Sequence, residues 1–220
     1  TADKQFRFFL LPPNVGVSAS RNYMLERVNT PFFMNMDDDM IFSNATDLLK
    51  ILKILKGTSS PDILTLGVEQ HSKIVSYQHI FKFTKSCKQH GTTEVRLTHN
   101  LGKSRSRTFL KGRAQPLVAY LEPLPESKED VCVPTDIGMN IFVAKTESLR
   151  RMEWNPSMSQ YDHELFFLRA KLFGLRIESC PQYSLVHAQH RSASYNYYKS
   201  NRNLTVTTAQ GFCEEFAPNI

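Results

Sequence analysis

Nowhere in this chain does an apolar run approach the roughly 20 residues that a membrane-spanning helix needs, and the opening residues TADKQFRFFLLPP lack the layout of a signal peptide. As given, it reads as a soluble domain, whether whole or cut from something longer. The four cysteines, Cys87, Cys132, Cys180 and Cys213, include no C-x-x-C pair. That argues against a zinc or thioredoxin-like site and leaves room for two disulfides in three possible pairings. There is no internal repeat and no low-complexity tract, and a composition 41% hydrophobic and 11% aromatic excludes a disordered chain. No helix-turn-helix, zinc-finger or RNP-type pattern accompanies the basic residues.

Those basic residues are nonetheless in excess. Lys and Arg number 27 against 21 Asp and Glu, a formal charge of +6, which suits an anionic partner such as nucleic acid, anionic lipid or a nucleotide. Charge alone does not choose among these. The 220 residues suffice for one domain with a substantial core. The sequons Asn44-Ala45-Thr46 and Asn203-Leu204-Thr205 fit a secretory lumen.

Along the chain, Phe6 to Leu11 reads as a short apolar strand stopped by Pro12-Pro13. A helix follows, with Ser18 or Ser20 as its cap, an approximate 3.6 period in Ala19, Tyr23, Met24 and Val28, and Pro31 beyond its end. Phe32 to Met36 is a continuous apolar run of strand length, as expected for a strand covered on both faces in a parallel sheet. SNATDLLKILKILKG predicts an amphipathic helix with Leu48, Leu49, Leu52 and Leu55 on one side, lysines opposite and Gly57 as its stop. Asp62 to Val68 is the next strand. From about Glu69 to Glu129 there are only short β-like pieces, IFKFT, VRLT and PLVAYL, around the basic segment NLGKSRSRTFLKGR. Order returns at DVCVPTDIGMNIFVAKTESLRRM, then a helix in DHELFFLRAKLFG closed by Gly174, then final strands in LRIESC and YSLVHAQH. The alternation predicts an α/β domain over residues 1–195, with 196–220 as a polar tail.

The most informative stretch is PFFMNMDDDMIF, residues 31–42, in which Asp37, Asp38 and Asp39 end an apolar strand. Two carboxylates about 4 Å apart repel by roughly 4 kcal/mol at an effective dielectric near 20. A shared proton, a basic partner or a divalent cation must offset this. In open α/β sheets ligands bind outside the carboxyl ends of the strands, and carboxylate oxygens there favour a hard cation such as Mg²⁺ or Mn²⁺, completed by waters and substrate phosphates. A solvated turn is the alternative. It has no need of the apolar residues that flank the aspartates on both sides.

These residues also carry a family resemblance. NVGVSASRNYMLERVNTPFFMNMDDDMIF resembles the segment of family-2-like GT-A glycosyltransferases in which a Gly-containing loop, an Arg-Asn pair on a helix and a strand lead to the D-x-D motif. The pattern is most similar to the β-1,4-N-acetylgalactosaminyltransferase group that includes ganglioside synthases. TDIGMNIFVAKTESLRRMEWNPSMSQYDHELFFL resembles that group's downstream stretch, and SLVHAQ its terminal valine-rich strand ending in histidine. The similar segments cover about the first 60 residues and Val131 to His190. The fold so implied is a GT-A-like, Rossmann-like, mixed and mostly parallel sheet flanked by helices. The first strand-helix-strand unit, which would hold the uracil, has no counterpart upstream of Phe6.

The resemblance further implies a hexosamine transfer, most simply GalNAc from UDP-GalNAc to a glycan acceptor on a glycolipid or glycoprotein, with inversion and with Mn²⁺ (or Mg²⁺) as cofactor. Asp37, Asp39 and His187 would be the metal ligands, with His190 as the competing histidine. Arg21, Asn22, Asp37 and Asp38 would lie at the nucleotide-sugar. Asp162, with Glu164 second, would be the catalytic base. Asp136, Asn140 and His163 would contact acceptor or sugar. Here the chain departs from the synthase pattern: Leu165 stands two residues after His163, where an acid is expected, and Glu164 adjoins the histidine instead. A Golgi lumenal setting is implied, with any membrane anchor upstream and no nucleic-acid partner. Two rivals stay open, a catalytically inactive GT-A-like module that binds glycan or nucleotide, and a nucleic-acid-binding protein.

Overall fold

The computed structural model describes residues 6–13, 15–70, 73–76, 79–83, 95–99, 105–108, 117–123, 132–156 and 162–188. Cys87, Cys213, His190, the sequon at Asn203 and the tail 196–220 lie outside them. Phe6 to Leu11, expected as a strand, forms no regular element, and Phe8 and Leu10 are exposed. Among the described residues no neighbouring strand pairs with it, and an apolar run without a pairing partner does not make a strand.

Helix α1 (Val17–Leu25) starts at Gly16, whose φ of 87° lies in the region that glycine enters without a Cβ clash. The expected hydroxyl caps do not form: Ser18 is buried, and Ser20 Oγ donates back to the Gly16 carbonyl at 2.8 Å. Strand β1 (Phe32–Asn35) leads through the acidic turn into β2 (Met40–Phe42). In α2 (Leu48–Leu55), Asp47 is the N-cap, its Oδ1 accepting from Lys50 N at 3.0 Å. The helix was legible but its inward stripe is rotated from the expected one: Ile51 and Leu55 are buried, while Leu48 and Leu49 face out.

The chain continues as β3 (Ile63–Gln70) and β4 (Lys73–Val75). Next come β5 (His79–Phe83), β6 (Val95–His99), β7 (Arg105–Thr108) and β8 (Leu117–Pro123), which form a four-stranded sheet in the order β5-β8-β6-β7. They are followed by β9 (Val133–Pro134), β10 (Phe142–Lys145), α3 (Thr146–Arg150), α4 (Asp162–Leu172) and β11 (Ile177–His187). Gly174, at φ 72°, closes α4 as expected. The two expected final strands are one, broken by a register shift between Cys180 and Ser184.

The main sheet runs β1-β10-β3-β11-β2, with β4 added on β3 and β9 on β11. The domain is α/β, but its sheet is mixed rather than mostly parallel. Among the described residues of this sheet only β3 and β11 pair in parallel, because β10 is inserted antiparallel between β1 and β3. Strand alternation builds a core on both faces. Ile63, Phe142 and Ala144 point to one side with α4 and Trp154, whereas Leu64, Leu66, Val68 and Val143 point to the other with Ile51 and Leu55 of α2. On the first side Phe142, Phe166 and Trp154 stack, the last two with ring centroids 4.6 Å apart. Cys132 and Cys180 form a disulfide, one of the pairings the sequence left open.

Two features of this sheet position the site. The five steps from Asn35 to Met40 reach at most about 18 Å, less than the roughly 19 Å that four strand spacings would need in a flat sheet. The sheet therefore curls, and the acidic turn ties its two edge strands together. Second, a Cβ on Gly67 would sit 2.4 Å from the Pro181 carbonyl oxygen, so only glycine admits the irregular part of β11 there. Past that irregularity β11 resumes its pairing and carries His187 opposite Met40.

Candidate active site

Strands β1, β3 and β11 point the same way, since β1 and β3 are each antiparallel to β10 and β11 is parallel to β3. Their carboxyl ends deliver Asp37 to Asp39, Gln70 and His187 to one cavity of about 1260 Å³. Its wall also includes Arg21, Asn140 and His163. Six separated stretches of sequence thus meet where an open α/β sheet binds ligands, in a space ample for a nucleotide-sized molecule.

The acidic turn has two halves with different partners. His187 Nε2 lies 2.9 Å from Asp39 Oδ2, and His187 is further approached by Gln70 Nε2 at 3.5 Å from Nδ1. Asp37 instead accepts from Arg21 Nη2 at 3.1 Å. Burial pushes the Asp37 carboxyl above its ordinary value, with Arg21 opposing and the charges of Asp39 and Asp162 adding to the rise. Asp38 lines the cavity between them.

Two of the three expected metal ligands thus stand together. Adjacent ligands of an octahedral cation with bonds near 2.1 Å lie about 3 Å apart, which the 2.9 Å between Asp39 and His187 matches. Carboxylate and imidazole together suit a borderline ion such as Mn²⁺ better than Ca²⁺. The third expected ligand, Asp37, is turned to Arg21. Among the described residues no set of three or more His, Cys, Asp or Glu side chains is gathered as a metal site.

Arg21 is the centre of the arrangement. Its Nη1 donates to Asp162 Oδ2 and its Nη2 to Asp37 Oδ1. With the Asn140 amide oriented to satisfy its neighbours, the Asn140 oxygen accepts from Nη2 at 2.6 Å and from Nη1 at 3.1 Å. The guanidinium also lies 6.0 Å from the centroid of Trp154. Asn35 Nδ2, at the end of β1, donates to the Asn140 backbone oxygen at 2.8 Å and so fixes that loop.

The remaining expected residues divide. Asn22, expected at a nucleotide, has both ends of its amide on the Trp154 backbone: Nδ2 donates to the carbonyl at 2.6 Å, and Oδ1 accepts from the N–H at 2.7 Å. Asp136, expected at sugar or acceptor, is ion-paired with Lys171 of α4 and does not line the cavity. His163 does line it, with Nε2 2.6 Å from the Gly138 carbonyl. Asp162 begins α4 in contact with Arg21 and, like Asp136, does not line the cavity, and Glu164 follows two residues on, its side chain outside the described atoms. Sequence reasoning missed Trp154, which braces both Arg21 and Asn22. Its one signal was its rarity, as the only tryptophan in the chain.

Among the described residues no helix is long and apolar enough to cross a membrane. No family model matches the chain. It is similar to human β-1,4 N-acetylgalactosaminyltransferase 1, with 26% identity over 181 residues covering 82% of this chain and 30% of that protein. It is also similar to mouse β-1,4 N-acetylgalactosaminyltransferase 2, with 22% identity over 216 residues covering 93% of this chain and 36% of that protein. The chain thus spans about a third of the length of the curated relatives it matches. At this distance its similarity is to glycosyltransferases.

Proposed function

We propose that this chain is the metal- and acceptor-binding part of a GT-A-like glycosyltransferase that moves a hexosamine, GalNAc from UDP-GalNAc, to a hydroxyl of a glycan acceptor with inversion. The observation that carries the reading is the meeting of Asp37 to Asp39, His187, Arg21 and Asn140 at the carboxyl ends of co-directional strands around one cavity. The distant similarity to N-acetylgalactosaminyltransferases supports the same chemistry. A Golgi lumenal setting, with an anchor elsewhere in the protein, belongs to this proposal, and the disulfide between Cys132 and Cys180 is compatible with a lumen.

In this reading Asp39 and His187 would hold a divalent cation, Mn²⁺ or Mg²⁺, and Asp37, which is paired with Arg21 in this structure, would join them on leaving that pair. Bound there, the cation supplies positive charge against the diphosphate. Asp37 and Asp38 face the nucleotide, and Asn140 and His163 face the sugars. Asp162 takes the proton of the acceptor hydroxyl, with Glu164 as the alternative base. The acceptor oxygen forms its bond to the anomeric carbon. The bond from that carbon to the diphosphate oxygen breaks, and its electron pair leaves with UDP.

One observation favours a second reading, a GT-A-like module that binds nucleotide or glycan without transfer: Arg21 engages both Asp37 and Asp162. Transfer of radiolabelled GalNAc separates the two. The first experiment is calorimetric titration of UDP with Mn²⁺ and again with EDTA, beside an Asp39→Ala variant. Binding that needs both the ion and Asp39 supports a nucleotide-sugar site, and binding indifferent to both overturns it.

A further inference from the structure

Asp37 and Asp162 lie far apart in sequence, on different elements, yet one guanidinium holds both. Nη1 serves Asp162 and Asn140, and Nη2 serves Asp37 and Asn140. These four contacts match the four terminal N–H groups of an arginine. The Arg21 side chain is only 12% exposed, and its guanidinium carbon lies over the Trp154 ring, 6.0 Å from the centroid. A residue so committed has little left to offer a nucleotide. What it does instead is fix carboxylates relative to one another.

We infer that Arg21 is a positioning residue, which holds the carboxylate of Asp162 against the acidic turn and so sets where the acceptor's proton is received. This rests on the glycosyltransferase reading above. The contact is to one oxygen of Asp162, Oδ2, and in this proposal the proton goes to the carboxylate's other oxygen, Oδ1. As the acceptor oxygen bonds to the anomeric carbon, its proton passes to Oδ1, while the diphosphate departs with the electron pair of the broken bond. Arg21 neither gives nor takes a proton. Its planar fork is what the geometry uses, because two carboxylates and one amide oxygen must be met in fixed directions, and a lysine is a point charge that cannot do so.

Two arrangements that look alike on paper are thereby separated. If Arg21 gripped the nucleotide, its loss would weaken binding. If it positions Asp162, its loss lowers turnover and leaves binding alone, because misplacement of a reacting group by about 1 Å costs on the order of 100-fold in rate.

The test is a kinetic double-mutant cycle in the full chain, using UDP-GalNAc, Mn²⁺ and a glycan acceptor, with UDP affinity measured by calorimetry. Arg21→Lys is expected to lower kcat by about 100-fold while UDP affinity changes by less than about twofold. Asp162→Asn is expected to lower kcat by at least as much, and the double variant to be no slower than Asp162→Asn alone. If Arg21→Lys does not fold, as judged by its melting, Arg21→Gln carries the same expectations. Weakened UDP binding with kcat retained overturns the positioning role and leaves the enzyme reading standing. So do losses that multiply in the double variant, because Arg21 would then act independently of Asp162. A wild-type chain that binds UDP but transfers nothing overturns both.

Discussion

His187 Nε2 stands 2.9 Å from Asp39 Oδ2, and the backbone holds the same two strand ends together, with Ala188 N donating to the Asp39 carbonyl at 2.8 Å. Because β2 and β11 pair with His187 opposite Met40, the imidazole is fixed by ladder hydrogen bonds that do not depend on its side chain. His187→Ala should therefore leave the fold in place and lower Mn²⁺ affinity, measured calorimetrically in the presence of UDP, by at least about tenfold. Unchanged Mn²⁺ affinity would mean that His187 serves only to hold Asp39.

Asn22 makes a contrasting prediction. Its amide closes a two-bond ring with the backbone of Trp154, tying α1 to the segment after α3. Asn22→Ala leaves a buried N–H and carbonyl of Trp154 unpaired, which costs about 1–3 kcal/mol. Urea unfolding should show this loss, with UDP affinity of the folded variant unchanged. Weaker UDP binding at unaltered stability would put Asn22 at the nucleotide after all.

The difference between those two residues shows what the sequence could and could not reveal. The acidic turn was legible because three charges at the end of an apolar strand demand an explanation, and His187 because it ends a strand of the same domain. The strand at Asp62 to Val68 was legible from its apolar run and is buried, whereas Phe32 to Met36, expected to be covered on both faces of a parallel sheet, forms a half-buried edge strand antiparallel to β10. The insertion of β10 between β1 and β3 was not legible. An apolar strand looks the same whether its neighbour runs parallel or antiparallel, and the pairing is a long-range fact. The same limit applies to Arg21, Asn22 and Asp136, whose residue types suited a ligand site equally with the internal partners they have. In α2 the period was visible but not its phase, because leucine occupies nearly every candidate stripe of LLKILKIL.

The disulfide offers a test that is independent of the site. Cys132 and Cys180 are 48 positions apart in sequence, and the loop-entropy model gives about 4 kcal/mol for a crosslink of that span. The Cys132→Ala/Cys180→Ala variant should unfold at lower urea by up to that amount. Adding dithiothreitol should shift the wild type towards the variant and leave the variant where it was. A wild type that dithiothreitol does not move would mean that the bond contributes little to stability.

The cap of α2 gives a pH dependence with a definite sign. The Asp47 carboxyl is held below its ordinary 3.8, first by the Lys50 N–H that donates to it. A carboxylate depressed in the folded state adds stability that is fully present above its unfolded pKa and is lost as pH falls through the folded one. The melting temperature of the wild type should therefore exceed that of Asp47→Ala by a constant margin from about pH 5 to 8. Below about pH 4 the margin should shrink as the wild-type carboxyl protonates. Asp47→Asn keeps a cap oxygen without the charge, so its melting relative to Asp47→Ala should not narrow with acid. If the Asn variant narrowed as the wild type does, the acid response would belong to groups elsewhere in the chain and not to this cap.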